Sequence, residues 1–164
     1  MAQRSATPAT NSVEIQAFTR LVRASFAATR ELSAQLQADH GLTINGYEAL
    51  LRLALTPDSR MRRVDLANSL SLTAGGVTRL HDGLEREGFV GREACESDRR
   101  VTYAVLTKPG RDKLRQADRT HTRQIGELMS AHLDKAELAQ LSELLARLPG
   151  AGPADPDGDK SSQA

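Results

Sequence analysis
Two short groups of residues have types and spacing suited to binding a polyanion. The first is Thr73-Ala74-Gly75-Gly76, followed by Thr78 and Arg79. The planar fork of an arginine can bond a guanine edge bidentately, and a threonine can meet a thymine methyl or a phosphate. Paired glycines strip the first helical turn of side chains, so that its free N–H groups can sit against a phosphate. Two glycines inside a helix cost about 1 kcal/mol each relative to alanine. Close approach of DNA would explain that cost; the alternatives are tight contact with a neighbouring helix, or drift. The second group is Asp98-Arg99-Arg100. Two adjacent arginines on a narrow loop suit a DNA minor groove, where the negative potential is strongest. Asp98 reads as a brace that orients Arg100. Taken alone, this triplet fits an ordinary charged hairpin tip equally well.

These residues need elements to hold them. From Arg63 to Leu106 the chain reads as a short helix, a turn, a second helix, Gly88, then two strand-like runs joined by a charged loop. This is the order of a winged helix-turn-helix, in which the second helix lies in a major groove. Val64–Leu70 forms the first helix, with Leu66, Ala67 and Leu70 inward. Thr73 caps the second, and Gly88 ends it. On a wheel of ~100° per residue, Leu80 and Leu84 fall with Val77, and Thr73 and Ala74 lie near that side. Gly75, Arg79, Asp82 and Arg86 fall opposite, flanked by Gly76, Thr78 and Gly83. Phe89-Val90 and Val101–Leu106 read as strands, and Glu93–Arg100 as the loop between them.

The flanking segments are helical. In Val13–Ala38 the residues Ile15, Phe18, Val22, Phe26, Leu32 and Leu36 recur at helical spacing without Pro or Gly. Such a helix spans ~37 Å, long enough to reach into a partner chain. Gly41 stops it. Thr43 caps a helix carrying Tyr47, Leu50, Leu51 and Ala54, which ends at Pro57-Asp58. Lys108 to about His132 is a second long helix. Asp134 and Glu137 form a capping box for a last one, bearing Leu138, Leu141, Leu144, Leu145 and Leu148. Residues 1–12 and 150–164 are small, polar and expected to be disordered.

Composition narrows the classes. The 164 residues contain 39% hydrophobic and 3% aromatic residues with no Trp, so the core is Leu, Val and Ala. Net charge is +1, but it is unevenly spread: Arg60–Arg119 holds 13 Lys/Arg against 9 Asp/Glu, while 13–59 holds 4 against 5. Positive charge therefore gathers where phosphate attraction requires it. No apolar run approaches a membrane span, no secretory signal is visible, and Cys95 is the single cysteine. These features point to the cytoplasm and exclude an internal disulfide. Cys95 has no resolving partner, so a redox role is not expected. His40, His81, His121 and His132 include no pair at i, i+4, so no metal site or cofactor is expected. His81 reads as a satisfied core or interface histidine. No nucleophile elbow, P-loop, dinucleotide fingerprint or zincin motif is present, so no catalytic residues are assigned and an enzyme is not expected.

The segments LANSLSL (66–72), GVTRLHDGLEREGFVGR (76–92), DRR (98–100) and VLTKPGRDKL (105–114) together resemble the MarR family. The resemblance runs from about Val13 to Leu148. It implies a mainly α fold with a small β-hairpin wing, the winged helix-turn-helix of about 60–107 being set inside a helical dimer. The helices of about 13–38 and 108–148 would hold that homodimer together. It further implies binding to double-stranded DNA at a pseudo-palindromic operator, usually as a repressor, and release by a small, often phenolic or aromatic, effector. Carried over by residue, Thr73, Gly75, Gly76, Thr78 and Arg79 would contact the major groove or phosphate, with Ala74 in the same turn. Arg99 and Arg100 would be wing contacts. Phe26 and Tyr47 are the candidates for an effector pocket. Many members carry polar side chains where this chain has Ala74-Gly75-Gly76, which shifts readout toward backbone and shape. The competing reading is a winged-helix module for protein partners, but the outer face of 74–86 lacks the apolar anchors such a face needs.

Overall fold
The computed structural model describes residues 12–70, 72, 74–95 and 101–149. The elements follow in the order α1 (Val13–His40), α2 (Ile44–Leu55), a 3-10 turn (Pro57–Ser59), β1 (Arg60–Arg62), α3 (Arg63–Ser69), α4 (Ala74–Arg86), β2 (Val90–Ala94), β3 (Thr102–Leu106), α5 (Lys108–Ser130) and α6 (Lys135–Leu145). This is a mainly helical fold with a small antiparallel sheet, ordered β1-β3-β2.

Local chemistry sets the boundaries. The α1 helix starts at Ser12, whose hydroxyl accepts from the Ile15 N–H at 3.4 Å. Ser12 is therefore an N-cap rather than part of a disordered end; the rest of 1–12, and 150–164, lie outside the described residues. Gly41 closes α1 in the left-handed region at φ 65°, its N–H donating to the Gln37 and Leu36 carbonyls. Thr43 caps α2 through Gly46 N–H at 3.1 Å. Asp134 and Glu137 form the expected capping box at α6, with three bonds of 2.8–2.9 Å.

Two expectations need correction. The wing has a third strand, β1, whose Met61 pairs with Ala104 of β3. Three residues without alternation offer no strand signal; β1 exists because β3 presents a free edge. The strand β2 also runs on to Ala94, with Glu93 paired to Tyr103, so the loop begins later than Glu93. Cys95 still donates its N–H to Val101 at 3.0 Å.

One apolar core unites these parts. Leu36 of α1, Ala49, Leu50 and Leu53 of α2, Leu66 of α3, Leu84 of α4, Ala104 and Leu106 of β3, and Leu114 and Ala117 of α5 all contribute buried side chains. Tyr47 is buried there, donating to Asp118 Oδ1 at 2.7 Å, with its ring edge-on to His121 at 4.8 Å. Burial first, then the Asp118 carboxylate, hold its hydroxyl well above the ordinary tyrosine range, so it stays a protonated donor.

The tightest joint lies between the hairpin and α5. Thr107 caps α5 by accepting from Gly110 N–H at 3.1 Å. The same hydroxyl lies 2.7 Å from the Gly88 carbonyl and 3.0 Å from that of Phe89. A Cβ on Gly110 would stand 2.0 Å from the Phe89 oxygen. On the same helix, a Cβ on Gly126 would meet nothing within 4 Å.

Gly110→Ala must push the backbone apart and should cost roughly 3 kcal/mol, whereas Gly126→Ala should stabilise by about 1 kcal/mol through helix propensity. Chemical denaturation of both variants checks the contrast. Burial also lowers the His121 pKa, outweighing the opposing pull of Asp118 and Glu48. As pH falls below the unfolded histidine value of about 6.5, the unfolded chain takes up the proton first, so stability is full above that value and declines below it. Thermal melts from pH 7.5 to 5.5 should fall for the native chain and fall less steeply for His121→Leu.

Candidate nucleic-acid interface
The α4 helix is the candidate reading element, and its inward face explains its pose. Leu84 is buried, Leu80 packs on the core, and Phe89 packs on it from the turn beyond. Gly88 makes that turn at φ 73°, a conformation that costs glycine little. The Phe89 N–H then returns to the Leu84 carbonyl at 2.9 Å.

The outer face carries Gly75, Thr78, Arg79, Asp82 and Arg86, all exposed, while Gly76 is half-buried. A Cβ on Gly75 would meet nothing within 4 Å. Among the described residues, tight packing against a neighbouring helix therefore does not explain that glycine. Thr73 lies outside the described residues, as do Asp98, Arg99 and Arg100 and the side chains of Ala74 and Val77.

One element was not legible in advance. Arg92 of β2 reaches back to α4, its Nε donating to Glu85 Oε2 at 2.7 Å and a terminal nitrogen to Asp82 Oδ1 at 2.6 Å. All three side chains are 35–48% exposed, so the network adds little stability. Its effect is orientational and electrostatic: it ties the hairpin to α4 and offsets the two carboxylates on that helix. Nothing in the spacing of 82, 85 and 92 signals it. At the hairpin's root, Arg60 donates to Glu93 at 3.0 Å and lies 4.9 Å over the Tyr103 ring. At the start of α3, Arg62 grips Asp65 with bonds of 2.7 and 3.2 Å.

His81 is a core residue, 2% exposed, but not a satisfied one. Among the described residues neither ring nitrogen has a hydrogen-bond partner. Burial, then the positive charges of Arg63 and Arg92, hold its pKa below the ordinary histidine range despite Glu85 and Asp82.

The two effector candidates are not brought to one cavity. Phe26 is 75% exposed on α1, beside Arg23, Ala27 and Arg30 in a shallow depression. Tyr47 is interior and already bonded to Asp118. A separate groove of about 520 Å³ lies between the α1–α2 junction and α4, lined by residues including Arg79, Arg86, Lys113, Leu80 and Phe89. No helix among the described residues is long and apolar enough to cross a membrane.

Comparison with known proteins gives a consistent result. The MarR family matches over residues 42–102, which cover α2, α3, α4 and β2. The chain is similar to the HTH-type transcriptional repressor YetL of Bacillus subtilis, 31% identical over 114 residues, or 68% of each chain. Among solved structures it is similar to Sco3205, a MarR family transcriptional regulator from Streptomyces coelicolor crystallised in complex with DNA. That pair is 30% identical with a TM-score of 0.74, covering 84% of this chain and 86% of the other. AbsC, a MarR family regulator from the same organism, is also 30% identical, with a TM-score of 0.72 over 82% and 90% of the chains. With a winged helix whose α4 carries two glycines in its first turn, and relatives of this identity and coverage, the chain belongs to the MarR family of transcriptional regulators.

Proposed function
We propose that the protein is a homodimeric repressor that reads a pseudo-palindromic DNA operator through α4 and releases it on binding a small effector. The observation that carries the reading is the outer face of α4. Gly75 is open to solvent, Thr78 and Arg79 are exposed, and among the described side chains of that face none is large and apolar. That surface suits phosphate and base edges better than a protein partner. Thr73, Gly75, Gly76, Thr78 and Arg79 are assigned to the major groove or phosphate, with Ala74 in the same turn. Arg99 and Arg100 are assigned to the wing contact, with Asp98 as the brace of Arg100.

Dimerisation is supported by apolar surface that the chain leaves uncovered. Within α1, 28 residues long, Leu36 alone is buried, while Val13, Phe18 and Phe26 are 66–75% exposed. The α6 helix buries no residue, and Leu144 and Leu148 are 49% and 45% exposed. The region 13–149 acts as one unit, with α1, α5 and α6 joining the copies and the winged helices meeting half-sites about one helical turn apart. For the effector, the groove beside α4 is the better-supported seat. Its Arg79, Arg86 and Lys113 suit an anion, and its Leu80, Leu84 and Phe89 suit a ring. An anion there would occupy Arg79, which couples release to binding.

Selection of duplexes from a random pool at two salt concentrations tests the reading. An enriched inverted repeat with strong salt dependence is expected, and its absence would overturn the operator assignment. On the selected site, Arg79→Ala should weaken binding by ~1–3 kcal/mol and relax sequence preference. Gly75→Ala should raise helix stability by about 1 kcal/mol yet weaken DNA binding, an opposition of sign that melting and DNA titration together detect. Leu144→Glu should lower the sedimentation coefficient toward that of a monomer; an unchanged value would remove α6 from the interface.

A further inference from the structure
The reading of α4 as a DNA-facing helix leaves one cluster on it unused. His81 is buried, and both its ring nitrogens lack partners among the described residues. An unpartnered buried polar atom costs about 1–3 kcal/mol, and a leucine would fill the same place without that cost. The imidazole is not isolated, however. Its Nδ1 lies 3.8 Å from Glu85 Oε2, and one ligand atom each from His81, Asp82 and Glu85 lie within 4.8 Å of one another. Positions 81 and 85 stack one turn apart, and 82 flanks them. The carboxylates are open to solvent at 48% and 35%, which provides an entry path and room for water ligands. Arg92 now bridges these two carboxylates, and Arg63 adds further positive charge nearby. A guanidinium thus stands where a small cation would neutralise the same charges and also engage the idle imidazole.

We propose that His81, Asp82 and Glu85 form a site for a late first-row divalent cation, zinc in the first instance, which binds in place of the Arg92 guanidinium. Imidazole favours zinc over magnesium or calcium, and carboxylates accept it. Ligand atoms around zinc stand about 3.3 Å apart for bonds near 2.0–2.1 Å. The three atoms must therefore close in by rotation of the Asp82 and Glu85 side chains once Arg92 lets go; the helix backbone need not move. Occupancy would undo the ion pairs that tie β2 to α4. The cluster mixes one histidine with two carboxylates, so the spacing of histidine pairs along the chain does not reveal it. The proposal stands apart from the operator reading, since its readout is metal affinity.

The test is competition between the metal-free full chain and a chromophoric chelator for zinc, with magnesium as a second arm. One zinc per chain is expected. Glu85→Gln and Asp82→Asn should each weaken binding at least tenfold, and His81→Leu should abolish it while raising the melting temperature of the metal-free protein. Arg92→Ala should tighten binding at least tenfold, because it removes the competing cation. Zinc binding that is indifferent to these substitutions, binding weakened by Arg92→Ala, magnesium bound as tightly as zinc, or no binding even in Arg92→Ala would each overturn the proposal. Should His81→Leu fail to fold, Arg92→Ala combined with Glu85→Gln decides: the gain must vanish.

Discussion
Residue 110 has no room for a side chain, and much of the fold is organised around that fact. The Phe89 carbonyl stands where a Cβ would be, so the chain leaving α4 and the chain entering α5 touch backbone to backbone. Thr107 completes the joint. It caps α5, its N–H donates to Phe89, and its hydroxyl meets the carbonyls on either side of the Gly88–Phe89 bond. Close contact here sets the direction of α5, which then carries Leu114 and Ala117 into the winged core and leaves Ile125 exposed further on. The turn that ends α4 and the first turn of α5 are thus in direct backbone contact.

Charge is handled differently from packing. The exposed ion pairs of α4 and the hairpin contribute little to stability, but they decide which charges α4 presents. With Asp82 and Glu85 engaged by Arg92, the outer face is left dominated by Arg79, Arg86 and the open first turn. A polyanion drawn to a face of this balance would be held less firmly as salt rises, because the charges are exposed.

Stability in a lone chain is correspondingly lopsided. The winged half owns a closed core, while among the described residues α6 and most of α1 display exposed apolar side chains. A helix that buries one residue in 28 gains little from tertiary packing, and packing supplies most of a helix's stability in proteins. Association would convert that exposed surface into core.

Much of this was legible in the residues themselves, because the deciding interactions are local. Helical periodicity marked the long helices, Gly41 and Gly88 marked turns needing positive φ, and Asp134 with Glu137 announced a cap whose partners lie three residues apart. The outward face of α4 followed from its wheel. What sequence could not decide were contacts between residues distant along the chain. The strand β1 takes its form from the edge of β3 rather than from its own three residues. Arg92 clamps Asp82 and Glu85 only because the Gly88 turn folds β2 back along α4. Tyr47 faces Asp118 and His121, not a cavity shared with Phe26. His81 is buried as its place on the wheel implies, but that its ring nitrogens have no hydrogen-bond partner among the described residues is decided by the packing around it. Periodicity and capping are written in short-range spacing; which side chains meet across separations from 7 residues, as in Glu85–Arg92, to 71, as in Tyr47–Asp118, is settled only when the core closes.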